Sequence, residues 1–208
     1  PWTDATVAMS DTEARALLRP TKGVHVVVAH DVLPLSNAVV CFHPSDKRVL
    51  FAIPWGDRTY VGTTDTDFEG DPADVAATSE DVDYLIDAAN SYFPDHQLTR
   101  AHVISAWAGS RPLMAPPDAD GELSESKVSR EHAIVVGADG LVTVAGGKLT
   151  TYRRMAAEVV DTAVRLLELT DGAMELEPAR TDKAPLPGAR GWPADDDHAR
   201  VAEEVEKA

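Results

Sequence analysis

Four short segments carry residue types that could hold an anion or move a proton. The first is Ala145-Gly146-Gly147-Lys148-Leu149-Thr150-Thr151-Tyr152-Arg153, where a strand-like run gives way to a helix-like one. Two glycines let a backbone approach a ligand closely, the first N–H groups of a helix attract negative charge, and Lys148 adds a full positive one. A nucleotide diphosphate or an anionic substrate suits such a turn; so does a plain strand–turn–helix joint capped by Thr150. It is not a Walker loop, which needs glycine where the chain has Val142 and Ser or Thr where it has Leu149. The second segment is Trp107-Ala108-Gly109-Ser110-Arg111-Pro112-Leu113. Arg111 can grip a phosphate or carboxylate with two parallel hydrogen bonds, or pair with one of the chain's own acids. Pro112 is expected to break the strand ladder. In the third, Ser129-Arg130-Glu131-His132, Arg130 reads either as a second anion ligand or as a surface arginine at a strand start. The fourth is Lys22-Gly23-Val24-His25, in which His25 is either a proton acceptor near neutral pH or a structural histidine.

Other chemistry is poorly supported. The remaining histidines have no Glu or Cys partner at metal-ligand spacing, so no metal site is expected. There is no G-x-S-x-G elbow. Asp65 and Asp67 in TTDTDFEGD miss the spacing of a calcium loop and read as a solvated acidic turn. The chain carries 19 basic and 35 acidic side chains, a net charge of −16, which argues against nucleic acid and against broad adhesion to anionic lipid. Against that background Lys22, Arg111, Arg130, Lys148 and Arg153 each stand beside glycine, proline or a strand edge, as the cations of a localised anion site would. Cys41 is the one cysteine, so no internal disulfide can form, and its apolar setting marks it as a small buried hydrophobe.

Those residues need elements to position them. Segments 24–30, 38–42, 48–55 and 59–64 are short, rich in β-branched and aromatic residues and bounded by turn formers, so they read as strands. A helix is predicted over 79–93, with Val82, Leu85, Ile86, Ala89 and Phe93 on one face, Ser79 as N-cap and Pro94 as terminator. Strands return at 102–109, 132–136 and 141–147, the last two joined as a hairpin through Ala138-Asp139-Gly140. Residues 116–127 read as a polar surface loop. A second helix spans about 149–169, with Met155, Val159, Ala163, Leu166 and Leu167 as its stripe. A short helix near Thr12–Leu18 precedes the first strand. From about Asp171 the chain becomes Pro- and Gly-rich and reads as a linker, followed by a short helix at best. A length of 208 residues suffices for one core plus an appended piece, and the strands with hairpin joins imply an α+β fold with a largely antiparallel sheet and flanking helices.

Taken in order, RPTKGVHVVV, FAIPW, YVGTTDTD, WAGSRPL, SREH and AGGKLTTYR resemble the pattern of flavin-dependent, quinone-linked glycerol-3-phosphate dehydrogenases over roughly residues 1–168. The resemblance implies the substrate-binding (cap) domain of a two-domain FAD-dependent oxidoreductase. Residues 1–20 would be a remnant of the FAD-binding domain, 21–145 the antiparallel substrate-binding domain, 146–170 a helix returning to the FAD-binding domain, and 171–208 a linker and the start of a C-terminal helical domain. It implies oxidation of sn-glycerol 3-phosphate to dihydroxyacetone phosphate by hydride transfer to FAD, with quinone as acceptor. By motif, His25 and Arg111 would be catalytic, Arg111, Arg130 and Lys148 would bind substrate, and Gly146, Gly147, Lys148, Leu149 and Thr150 would contact the cofactor. An oxidase of the same fold and a non-catalytic module binding a phosphorylated metabolite remain alternatives. The whole protein is expected to be cytoplasmic, with peripheral contact at the inner face of the membrane, and homo-oligomeric. No G-x-G-x-x-G is present, so the chain is expected to be a fragment, inactive on its own, with an incomplete FAD site.

Overall fold

Val24, Val26 and Val28 alternate with Gly23, His25 and Val27 along one of the two longest strands, and this period of two sets the core face of the sheet apart from its opposite face. The computed structural model describes residues 1–115, 131–171, 176–189, 199–200 and 203. The chain divides into two units, Pro1–Leu149 and Thr150–Ala208. In the first unit a short helix α1 (Thr3–Val7) precedes β1 (Leu18–Ala29), β2 (Val39–Phe42), β3 (Val49–Trp55), β4 (Arg58–Gly62) and β5 (Thr66–Asp67). Then come α2 (Ser79–Tyr92), β6 (Val103–Met114), β7 (His132–Val136) and β8 (Val142–Gly146). All pairings are antiparallel, as the hairpin joins suggest.

The main sheet runs β2-β3-β4-β1, with β6 pairing along nearly the whole of β1. Because β6 fills one edge, β4 and β5 share the other: β4 pairs with the C-terminal half of β1 and β5 with Thr21 and Lys22. Thr64 bridges the gap between them. Its backbone N–H donates to Val24 O at 3.3 Å, and its hydroxyl accepts from Val24 N–H at 3.0 Å, so the ladder stays satisfied where no strand pairs.

The core face carries Val24, Val26, Val28, Cys41, Leu50, Ala52 and Val61, covered by Leu85, Ile86, Ala88 and Ala89 of α2. Burial of each large member is worth about 1.5–3 kcal/mol. The helix begins one residue earlier than its sequence suggests. Thr78, not Ser79, is the N-cap, and it forms a capping box with Asp81. The apolar stripe selects the helix, but the reciprocal Thr78–Asp81 bonds select its first turn.

Two other expectations fail. Residues 12–18 form no helix; Leu17 and Leu18 give their N–H groups to the Asp4 carboxylate, and the strand starts at Leu18. Pro112 does not break the ladder, because β6 continues to Met114 with Pro112 opposite Pro20. Pro20 O accepts from Phe68 N–H on the other edge, so this pair is a non-hydrogen-bonded one, and neither missing N–H was needed between β1 and β6.

Strands β7 and β8 form a separate hairpin, with Gly140 at φ +85° in its turn. The polar loop 116–127 and Arg130 lie outside the described residues, as does most of the C-terminal segment after 189. In the second unit, α3 (Tyr152–Asp171) follows a 3₁₀ turn at Leu149–Thr151. Met155, Val159, Ala163 and Leu166 are half-buried on it, whereas Leu167 is exposed.

Candidate active site

The register of β1 against β6 sets Thr21 opposite Arg111, Gly23 opposite Gly109 and His25 opposite Trp107. All six share the face turned away from α2. The Cα atoms of Arg111 and His25 are therefore two steps apart diagonally, a separation of roughly 13 Å along the strands. The Arg111 side chain closes that distance by lying back across Gly23. A Cβ placed on Gly23 would fall 2.2 Å from Nη2, 2.5 Å from Cζ and 2.7 Å from Nη1. Glycine at 23 is thus a saddle for the guanidinium, which no larger residue could provide.

Beyond the saddle the guanidinium meets the gap between β4 and β5. Nη1 donates to Asp65 Oδ1 at 2.9 Å, and Nη2 donates to Thr63 Oγ1 at 2.9 Å and to the Thr64 carbonyl at 3.1 Å. Both sequence readings of Arg111 are therefore partly met: it pairs with an acid, and it remains half-exposed on the open face. Asp65 is not the solvated acid its sequence suggests. It is 7% exposed, because Arg111 grips it from the open face and Arg48 donates to its backbone carbonyl. Asp67 pairs with Arg19 at the strand edge.

His25 has a saddle of its own. It pairs with Gly62 across β1 and β4, and a Cβ on Gly62 would fall 2.2 Å from the imidazole Cδ2. On the other side the ring stacks on Trp107, with centroids 4.9 Å apart and planes 11° from parallel. Tyr60 meets Trp107 edge-on at 5.2 Å, and Trp55 stacks on Tyr60 at 6.2 Å. Such contacts are worth about 0.5–1.5 kcal/mol each beyond area burial and fix the ring planes. Burial, and after it the charge of Arg111, holds the His25 imidazole below its ordinary value. The ring is consequently neutral at pH 7 and able to accept a proton. Phe42, Phe51, Trp55 and Trp107 leave this face broad, apolar and exposed. A Cβ added at Gly109 would meet nothing within 4 Å, so the floor beside Trp107 and Arg111 is open.

The structure brings His25 and Arg111 together and separates Lys22 from them. Lys22 points to the opposite face of β1, where Nζ lies 2.5 Å from Asp81 Oδ2 on α2, so it is a core ion pair and no part of an anion site. The period of two decides this, since residues 22 and 25 must face opposite ways. Gly146 ends β8 and Gly147 follows it, at φ +73° and +82°, a left-handed pair that favours glycine. A Cβ on Gly146 would fall 2.7 Å from Met114 Cγ, which places this turn at the far end of β6 from His25. Lys148 is exposed within it, and Leu149 is exposed too. Thr150 begins the second unit, where Arg153 donates to Thr181 Oγ1 at 3.3 Å. Of Arg130 only its neighbour is described: Glu131 O accepts from Gly147 N–H at 3.2 Å. Sequence reasoning missed Gly62, Thr63 and Asp65 as the residues that hold the candidates His25 and Arg111. Their signal was a glycine and a buried acid at the end of a strand, legible only once the strand's partner was known.

As a chemical device the face offers a neutral imidazole, a guanidinium held over a strand backbone, and a flat aromatic surround. That combination can orient a small anionic alcohol and take the proton of its hydroxyl.

A family model described as FAD dependent oxidoreductase matches residues 1–153. The chain is 42% identical over 191 residues to glycerol-3-phosphate dehydrogenase 2 of Mycobacterium tuberculosis (strain H37Rv), covering 92% of this chain and 31% of that protein. It is 41% identical over 188 residues to the aerobic glycerol-3-phosphate dehydrogenase of Staphylococcus haemolyticus, covering 90% of this chain and 33% of that protein. Among solved structures, the glycerol-3-phosphate dehydrogenase from Bacillus halodurans complexed with FAD superposes with a TM-score of 0.68 at 41% identity, covering 81% of this chain and 31% of that one. The chain spans about a third of the length of the relatives it matches.

Proposed function

The chain belongs to the FAD-dependent oxidoreductase family, and from that premise we propose that it supplies the substrate-binding side of a glycerol-3-phosphate dehydrogenase. The supporting observation is the pairing of a neutral His25 with a preset Arg111 on one open face, each over its own glycine. The likeness to proteins named glycerol-3-phosphate dehydrogenase supports the substrate.

The residues fit the ring end of FAD. Gly109 leaves open floor beside Trp107, and the left-handed Gly146-Gly147 turn packs against Glu131 and Met114 with Lys148 exposed next to it. When bound, FAD would supply the two-electron acceptor for the C2 hydride, with quinone proposed as the final acceptor. His25 takes the C2 hydroxyl proton, so that the alcohol becomes the ketone of dihydroxyacetone phosphate. Arg111 orients the substrate against the face; the resemblance also gives Lys148 and Arg130 to the phosphate, a role for which the described residues around His25 supply no support. By the resemblance, Gly146, Gly147, Leu149 and Thr150 would contact the cofactor. The stacked Trp107 keeps the imidazole plane fixed against the substrate. On this reading residues 21–145 are the substrate domain, and 1–20 and 146–170 belong with the cofactor domain. The whole protein works at the cytoplasmic side of the membrane, in peripheral contact with it, as a homo-oligomer.

The test is the full-length protein loaded with FAD and given glycerol 3-phosphate with a soluble quinone under air. Dihydroxyacetone phosphate formed in step with reduced quinone supports the proposal. Peroxide in its place makes the protein an oxidase. Binding without turnover makes it a non-catalytic module, and then His25→Ala leaves binding unchanged.

A further inference from the structure

We propose that Asp65 is a positioning residue for Arg111: from the gap between β4 and β5 its carboxylate holds the guanidinium over Gly23, in the attitude that receives the substrate. This rests on the reading of Arg111 as a substrate ligand.

Three observations carry it. The first is burial. At 7% exposure the Asp65 carboxylate has left water, and a buried charge persists only where it is paired and hydrogen-bonded. Arg111 Nη1 at 2.9 Å supplies the pair, and Arg48 Nη1 lies 3.8 Å from Oδ2 on the other side. The second is geometry. Asp65 Oδ1, Thr63 Oγ1 and the Thr64 carbonyl are three acceptors from consecutive residues that meet one planar fork. Arginine's fixed donor geometry turns such an arrangement into a defined orientation of the guanidinium plane. The third is anchorage. Arg48 also lies 3.5 Å from Asp46, whose carboxylate accepts from the Tyr84 hydroxyl of α2 at 3.0 and 3.1 Å. The clamp is thereby tied to the helix that covers the core. Two buried acids sort two cations of β1 and β6: Asp81 takes Lys22 beneath the sheet, and Asp65 takes Arg111 above it.

The test uses the full-length, FAD-loaded protein. Asp65→Asn is expected to lower kcat/KM for glycerol 3-phosphate about 10- to 100-fold, the cost of a misplaced orienting group. In an Arg111→Ala background the same change is expected to cost less than about twofold, since residues acting through one another are not additive. Equal losses in both backgrounds, or no loss in the first, overturn the proposal. Thr63→Val removes one acceptor and keeps the carboxylate, so it serves if Asp65→Asn does not fold; its smaller loss is expected to vanish in the same background, and a loss that persists there overturns the proposal. A second readout needs no turnover. Among the described residues the charged or titratable groups facing this side of β1 are Arg111, Asp65, Tyr60 and Arg58; His25 ionisation is held down by burial first and, among these groups, by Arg111. Asp65→Asn removes a negative charge, which alone would lower the His25 titration, but it also frees Arg111, the charge that acts on His25 directly, to swing away; the net His25 ring-carbon titration, followed by NMR on histidine-labelled protein, is expected to rise. An unchanged or lowered titration overturns the proposal. If the wild-type protein oxidises no glycerol 3-phosphate, the functional reading falls, and the titration alone decides the role of Asp65.

Discussion

Replacing Gly23 with alanine adds one methyl group at the place where the Arg111 side chain crosses β1. The new Cβ would stand 2.2, 2.5 and 2.7 Å from Nη2, Cζ and Nη1. Comfortable carbon contacts begin near 3.5 Å, so the guanidinium must lift by about 1 Å. Its bonds to Asp65, Thr63 and Thr64, at 2.9, 2.9 and 3.1 Å, cannot all survive that movement. A displacement of about 1 Å in an orienting group costs about 100-fold in rate. Folding should feel the change much less. Glycine inside a strand is worse than alanine by about 0.5–1 kcal/mol, and this gain offsets part of the hydrogen-bond loss of about 1.5–3 kcal/mol. The assay pairs kcat/KM of the full-length FAD-loaded enzyme with its thermal midpoint. A fall of about 100-fold with a shift of only a few degrees is expected. Unchanged kinetics would refute the saddle, and a kinetic loss that merely follows unfolding would refute the division between site and fold.

Gly62→Ala acts in the same way on the other group: its Cβ would lie 2.2 Å from His25 Cδ2, and kcat of the full-length enzyme is expected to fall about 100-fold. His25 must be neutral to accept a proton, and its ionisation is held down by burial and by Arg111. So kcat/KM should rise with pH to a plateau whose midpoint lies below the ordinary histidine value; a midpoint above that value in the pH profile counts against the assignment. Lys22→Ala leaves the Asp81 carboxylate buried and unpaired, which typically costs about 3–5 kcal/mol of stability. Because Lys22 faces the core, KM for glycerol 3-phosphate should stay unchanged in the same protein, as steady-state kinetics beside denaturant titration will show. Thr78→Ala removes the cap of α2, with an expected loss of about 0.5–2 kcal/mol by denaturant titration and no change in kinetics.

Much of the fold was legible because it depends on local pattern. The alternation at Val24, Val26 and Val28 and the stripe at Leu85, Ile86 and Ala89 fix strand and helix wherever they occur. What escaped depends on partners distant in sequence. Leu18 joins a strand because β6 extends to Met114, and Pro112 is tolerated because Pro20 faces it. Lys22 and His25 looked like members of one cluster until the period of two placed them on opposite faces. Asp65 looked solvated because its acidic neighbours are, while its true environment is an arginine 46 residues away. Gly23 and Gly62 could be suspected of closeness to something, but only the register of three strands says that the something is Arg111 for one and His25 for the other.

The central claim is that the open face of this sheet presents glycerol 3-phosphate to a flavin, with His25 taking the proton. Its most direct test is anaerobic mixing of the full-length, FAD-loaded protein with glycerol 3-phosphate, following the flavin absorbance through a single turnover. The account expects prompt bleaching in the wild type and a rate about 100- to 10,000-fold slower in His25→Ala, the usual range for losing a general base. Bleaching at the wild-type rate in that variant, or none in the wild type, would contradict it.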